Sequence, residues 1–307
     1  CAIVCGVAVV GAETFLFTSF RRNGETGVYF ALSDDGRKWE QLGAKAWVTP
    51  QRDGMLMRDP FLTRGPDGTY HMIWTWGWTR KEGGGSLKIG YSSSRDLVTW
   101  TQQREIPVFG NEPGARNVWA PEAAWDPNKR EWIIFWATTI PGRFADTEGT
   151  GDSGYNHRLY SMTTRDWQSF SEPRLWFDPG FNSIDSTVVQ DGSRWIMIFK
   201  DERRNPVQKR LRLAFADSPA GRWKDISEPF TIDWVEGPSA IRMGKEWWIY
   251  FDHYTKPHYY GAVRTTDWKT FEDVSKQVSF PDDHRHGTVI RISDAEARRL
   301  RQAATAR

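Results

Sequence analysis

Five copies of one short phrase limit what this chain can fold into. Each copy alternates apolar residues, reaches Ser, Thr or Ala, then Asp, and closes on an aromatic. The copies are YFALSDDGRKW (29–39), IGYSSSRDLVTW (89–100), LYSMTTRDWQSF (159–170), LAFADSPAGRW (213–223) and AVRTTDWKTF (262–271). Their closing aromatics, Trp39, Trp100, Phe170, Trp223 and Phe271, recur at intervals of 48 to 70 residues. Repeats of this period signal units arranged side by side, not one irregular core. Alternation that ends in Asp, Gly and Ser reads as a strand entering a turn.

Between the phrases lie further pairs of strand candidates. Examples are RDPFLTR (58–64) with YHMIWTW (70–76), and IDSTVVQ (184–190) with RWIMIFK (194–200) across Asp191-Gly192. APEAAWD (120–126) pairs in the same way with EWIIFWA, and EGPSAIR (236–242) with EWWIYFD. Asp-Gly between alternating runs is a hairpin signal. Four antiparallel strands per unit make one blade of a propeller. The chain opens on a second strand, ETFLFTSF (13–20), while a matching inner strand, HGTVIRI (286–292), comes last. The expected fold is therefore all-β: a five-bladed β-propeller with four antiparallel strands per blade, its first blade closed by the C-terminal strand. Closure removes the free edge. Ser293 and Glu296 suit a capping box for a short helix outside the ring.

One propeller uses residues 13–307, so a single domain is expected. Eighteen Trp suit aromatic packing between blades. A net charge of +2, with no Lys/Arg block, gives no sign of a nucleic-acid partner. Residues 2–12 are apolar and uncharged but too short to span a membrane. They read as the remnant of a secretory leader, with Val10 and Ala12 at cleavage positions, or as an extra apolar strand. Export from a bacterium, to the periplasm or medium, is the expected location. Cys1 and Cys5 both fall in this stretch, and lipid modification of Cys1 is a weaker alternative.

Inner strands of a propeller begin around one mouth of the channel. Aligned on their following turns, they bring Asp59, Ala120, Asp185, Glu236 and His286 to one level. One such carboxylate commonly stabilises a turn. Three carboxylates and a His converging on an axis do not pack well, because like charges repel and burial raises the cost. Two carboxylates flanking a small pocket suit glycoside hydrolysis: one protonates the leaving oxygen and the other activates water. A third can tune the acid. Loops at the same mouth carry Trp76, Trp78, the 140–157 segment, Lys200, Glu202, Asp252 and Tyr254, with Trp119 beside the second inner strand. Rings and polar groups of this kind hold a sugar. Each Trp serves equally well as packing between blades.

The ordered set MRDPFL (with Asp59), NVWAPE (117–122), SIDSTVV (Asp185), VEGPS (Glu236) and RHGTVI (His286) resembles glycoside hydrolase family 43 from about residue 13 to 300. FKDE (199–202) and DHY (252–254) resemble a branch of it found in gut and soil bacteria. The resemblance implies Asp59 as general base, Glu236 as general acid, Asp185 as the residue that tunes and orients the acid, and inversion at the anomeric carbon. It implies Arg58, Trp76, Trp119, Lys200, Glu202, Asp252, Tyr254 and His286 as substrate-binding candidates. No cofactor is required; a structural calcium ion beside His286 is the one metal the resemblance raises. The implied partner is an oligo- or polysaccharide, with an exo-acting α-L-arabinofuranosidase as the leading activity. An exo-β-1,3-galactanase or β-xylosidase is the alternative. A non-catalytic carbohydrate-binding propeller is the alternative of another class, and it has no need of three carboxylates. A phosphorylase needs several cations near the base, and only Arg58 and Lys200 stand out. The 140–157 loop is longer and more polar than the family pattern, which bears on pocket depth. Oligomeric state is not legible.

Overall fold

Each repeated phrase folds as the third strand of a blade and the turn that leaves it. This is seen in a computed structural model of the chain, which describes residues 13–77, 87–109 and 114–306. Residues 1–12, including both Cys, and Trp78 lie outside the described residues. The first blade holds β1 (Thr14–Phe20), β2 (Val28–Ser33) and β3 (Glu40–Gln41). The second holds β4 (Arg58–Arg64), β5 (Tyr70–Thr75), β6 (Lys88–Ser94) and β7 (Arg104–Pro107). The third holds β8 (Trp119–Asp126), β9 (Glu131–Thr139), β10 (His157–Thr164) and β11 (Arg174–Phe177). The fourth holds β12 (Ser183–Asp191), β13 (Arg194–Asp201) and β14 (Arg210–Ala216). The fifth holds β15 (Val235–Met243), β16 (Glu246–His253), β17 (Tyr259–Thr265) and β18 (Glu272–Asp273). Finally β19 (Arg285–Ile292) joins the first blade as its inner strand, giving the order β19-β1-β2-β3. Thr14 pairs with Ile292 and Phe20 with Arg285, so the last strand closes the ring.

The turn explains the phrase. Asp35, Asp96, Asp166 and Asp267 each accept hydrogen bonds from the backbone N–H groups two and three residues on. This side-chain turn leaves the next residue in the left-handed region: Gly36, Leu97, Trp167 and Trp268. Leu97, Trp167 and Trp268 then point into the core. The copy in the fourth blade has Ala216 where the others have Ser or Thr. Its outer strand is reduced to a bridge between Phe215 and Lys224. Hydroxyls of Ser227 and Thr231 there accept from Leu213 and Leu211, where a regular strand offers backbone carbonyls.

Five apolar clusters fill the five seams between blades. Fully buried Trp74, Trp136 and Trp248 lie in three of them. Each large apolar side chain buried in a seam contributes roughly 1.5–3 kcal/mol. The closing aromatics serve the same seams: Trp39 stacks on Phe280 at 5.1 Å and Phe271 on Phe230 at 4.2 Å. The terminal helix α1 (Asp294–Thr305) has the expected capping box, with Ser293 and Glu296 bonding each other's backbone N–H. It is not merely outside the ring. Ala297 and Leu300 are buried in the seam between the first two blades, and the Tyr70 hydroxyl donates to Glu296. No helix among the described residues is long and apolar enough to cross a membrane.

Candidate active site

Every inner strand breaks its register near its first residues, at the same mouth of the channel. A regular strand turns successive side chains to opposite faces. A bulge lifts that restriction and lets two neighbours face one opening. So Arg58 with Asp59, Ile184 with Asp185, and Arg285 with His286 line the mouth in pairs, joined by Trp119 and Glu236. With Arg22, Asn23, Lys200, Glu202 and Tyr254 they enclose a cavity of about 330 Å³.

The bulges correct the register read from the sequence. Asp59, Ala120 and Asp185 occupy the left-handed position, at φ 49°, 46° and 51°. In the fifth blade that position is Gly237, at φ 57°, not Glu236. Glu236 stands one step earlier, level with Arg58, Trp119, Ile184 and Arg285. The matching steps are Asp59-Pro60, Ala120-Pro121 and Gly237-Pro238, and counting back from the turns misses them by one. Glycine is required there twice over. Its φ is left-handed, and a Cβ would stand 2.6 Å from the His286 ring.

Asp59 is held from two sides. The Thr75 hydroxyl donates to it at 2.7 Å and accepts from Ala120 N–H at 2.8 Å. His286 Nδ1 lies 3.4 Å from Asp59 and 3.8 Å from Asp185. Asp185 also accepts from Gly237 N–H at 3.4 Å. Burial pushes the Asp185 carboxyl up to about 7; His286 opposes this and the Glu236 charge adds to it. Burial pushes Glu236 upward too, but Lys200, Arg285 and His286 outweigh it and hold Glu236 down at about 2. Within this pair Asp185 is therefore the carboxyl pushed toward its neutral form and Glu236 the one held ionised.

Glu236 owes this to two cations. Lys200 Nζ donates to it at 3.0 Å and Arg285 at 3.2 Å. Lys200 also stands 2.8 Å from Glu202, a close charge pair without hydrogen-bond alignment, and 4.3 Å from the centre of the Tyr254 ring. Arg285 escaped the sequence reading, although it precedes His286 directly. Thr75 escaped as well, and nothing in its local sequence marks it.

Two expected wall residues lie elsewhere. Trp76 is buried in the seam between the first two blades, under Arg52, and does not line the cavity. The Thr75 side chain just before it reaches Asp59, so alternation turns Trp76 to the other face, into the seam. Asp252 is fully buried behind the cavity, where it accepts from His286 N–H and pairs with His258 and Arg285. Trp119 does line the cavity and is backed by Tyr155 at 4.7 Å and His157 at 5.1 Å. Tyr155 belongs to the long 140–157 loop, which is largely exposed but anchored on its inner side. A Cβ on Gly151 would meet Asn182 Nδ2 at 2.2 Å and Tyr155 O at 2.3 Å, and Thr150 O accepts from Arg204 N–H at 2.6 Å. The donors beside His286 are two carboxylates, whereas calcium takes about six to eight oxygens. Among the described residues no group of three or more His, Cys, Asp or Glu could hold a metal. These side chains do not form a calcium cage.

The family described as "Probable glycosyl hydrolase domain", related to glycosyl hydrolase family 43, matches residues 11–298. Over 177 residues the chain is 32% identical to an α-L-arabinofuranosidase of Bifidobacterium longum subsp. longum. That match takes in 52% of this chain and 16% of the relative, so the chain spans a small part of that protein's length. A solved α-L-arabinofuranosidase from Lactobacillus brevis has a TM-score of 0.53 at 16% identity, with 72% of this chain and 73% of that one covered. An exo-β-1,3-galactanase from Clostridium thermocellum has a TM-score of 0.54 at 14% identity, with 71% and 48% covered. At such identities the likeness to solved structures is one of fold.

Proposed function

The chain belongs to the glycosyl hydrolase 43-related family, and from that premise we propose that the mouth of its propeller hydrolyses glycosidic bonds with inversion. The observation that carries this is the gathering of Asp59, Asp185 and Glu236 around one small cavity, each with its own partners. Asp59, oriented by Thr75, takes a proton from water as the water oxygen attacks the anomeric carbon. Glu236 gives a proton to the leaving oxygen as the old bond breaks. Asp185 stores the proton of the pair and orients Glu236. A sugar that fills the cavity displaces water from Glu236, which favours its neutral form.

The proposed substrate is an α-L-arabinofuranosyl side chain of a plant polysaccharide, supported by the Bifidobacterium relative. Trp119 and Tyr254 are its proposed walls. Arg22 and Arg285 join Arg58 and Lys200 around the cavity, so phosphate is a second acceptor to test. Lys200 and Arg285 are already engaged by Glu236, which favours water. The test is a panel of aryl glycosides, arabinofuranoside first, with and without phosphate, with the product anomer followed by NMR. Free sugar of inverted configuration is the expected product. A retained anomer or a sugar phosphate defeats the proposal.

A further inference from the structure

A chain of alternating charges runs from the cavity into the 140–157 loop. Glu236 is bonded by Lys200, Lys200 abuts Glu202, Glu202 pairs with Lys209, and Lys209 bonds Asp152 at 2.8 Å. Lys200 and Lys209 are 2% and 1% exposed. Buried lysines of this kind keep their charge only through their partners. Asp152 also pairs with Arg204, which fixes the outer end of the chain. Only Lys200, on β13, and Glu236, on β15, lie on strands; Glu202, Lys209 and Asp152 lie in the connections between strands.

We propose that Lys200 is a positioning residue that sets when Glu236 can hold a proton, and that Glu202, Lys209 and Asp152 tie this setting to the 140–157 loop. The proposal rests on Glu236 being the acid. Lys200 sits between two carboxylates, and only the one at Glu236 is hydrogen-bonded. Whatever strengthens the hold of Glu202 on Lys200 frees Glu236 to take a proton. Whatever weakens that hold keeps Glu236 ionised. Other groups also face Glu236. Arg285 on β19 adds positive charge, and His286 on β19 and Asp185 on β12 face it as well. Tyr254 lies over Lys200, and Asp252 on β16 shares Arg285. Arg58 and Asp59, neighbours on β4, bring opposite charges to the same cavity. Arg285 has a buried partner of its own in Asp252. Lys200 alone is linked onward to the loop that backs Trp119.

The variants K200M, K200R, E202Q and D152N separate this role from a merely structural one. The readout is the basic limb of the kcat/KM profile, measured on the methyl and 4-nitrophenyl glycosides of the sugar the panel selects. On the methyl glycoside, K200M removes a cation beside the acid and should move the limb up by about one pH unit. E202Q releases Lys200 to Glu236 and should move the limb down. D152N should move it down by less, because Lys209 then turns wholly to Glu202. K200R keeps the charge and should leave the limb in place. On the 4-nitrophenyl glycoside, whose departure needs little protonation, all shifts should shrink. If K200M does not fold, the isosteric E202Q and D152N still decide the matter against K200R. Shifts of one sign in K200M and E202Q, or no shifts, overturn the proposal while the acid reading stands. Equal losses of E236A on both glycosides instead remove the acid reading, and this proposal with it.

Discussion

The outer turns and the inner bulges of the propeller use one backbone device for opposite ends. Both place a residue in the left-handed region near a strand end, in blade after blade. In the outer turns the solution barely varies. A Ser or Thr, an Asp two residues on, and a buried Leu or Trp, or Gly, recur in four blades. In the inner bulges the same position holds Asp59, Ala120, Asp185 and Gly237. Non-glycine residues in this region cost of order 1–3 kcal/mol. In the outer turns, hydrogen bonds to Asp offset that cost and the side chain fills a seam. At Asp59 and Asp185 the strain instead turns a carboxylate toward a cavity. A repeat that stays the same is a folding solution; one that diverges at fixed geometry is where chemistry sits.

Removing the inner element is the harshest way to break this comparison. Deleting residues 285–307 takes away β19, bares the edge of β1 and removes Arg285 and His286. The expected result is loss of soluble protein, read as yield and thermal midpoint. Deleting residues 295–307 should also lower the midpoint, because Leu300 and Ala297 leave a seam. A soluble, active product of the longer deletion would defeat the ring-closing role of β19.

Single inner-bulge substitutions come next. Asp59→Ala should lower kcat on the order of 10²-fold or more, as for loss of a positioned base, with an unchanged thermal midpoint. Near-native turnover on a natural oligosaccharide would refute the assignment. Glu236→Ala should cost far more on poor leaving groups than on activated aryl glycosides.

A third test uses pH. Folding raises Asp185 from the usual carboxylate range to about 7, so the native state binds more protons than the unfolded chain between roughly pH 4 and 7. The stability this group confers is present below that window and lost as pH rises through it. Asp185→Asn should flatten the fall in thermal midpoint over that range, and it should also shift the basic limb of the activity profile. Glu236 has the opposite sign: held at about 2, its contribution is present above the unfolded carboxylate value and lost toward low pH. An unaltered slope in Asp185→Asn counts against the buried proton.

The smallest effect belongs to the outer turns. Asp96→Ala removes acceptors for Val98 and Thr99 and should lower the midpoint by roughly 2–4 °C. Its kcat/KM should be unchanged. A turnover defect there would blur the division between the two regions.

The blade count, the split first blade and the capping box were legible because they depend on alternation and turn chemistry, which are local. Asp59, Asp185, Lys200 and His286 were legible for the same reason. The register of Glu236 was not, because a bulge is defined by the partner strand. Trp76 could not be told from a cavity wall, since alternation separates two faces without saying which of them meets the channel. The contact of Lys209 with Asp152 joins positions 57 residues apart, and no pattern within one blade announces it.

The late position of β19 has a consequence for how the molecule comes into being. Its partner β1 is made before the other strands of the ring, and Thr14 pairs with Ile292, 278 residues later in the sequence. Contacts this distant in sequence are slow to form. During synthesis the ring stays open, and its mouth lacks Arg285 and His286 until β19 leaves the ribosome. Asp59 then has no imidazole beside it and Glu236 only one of its two cations. The proposed hydrolytic competence would thus arrive in one late step, and its appearance in a refolding experiment would time the closing of the ring.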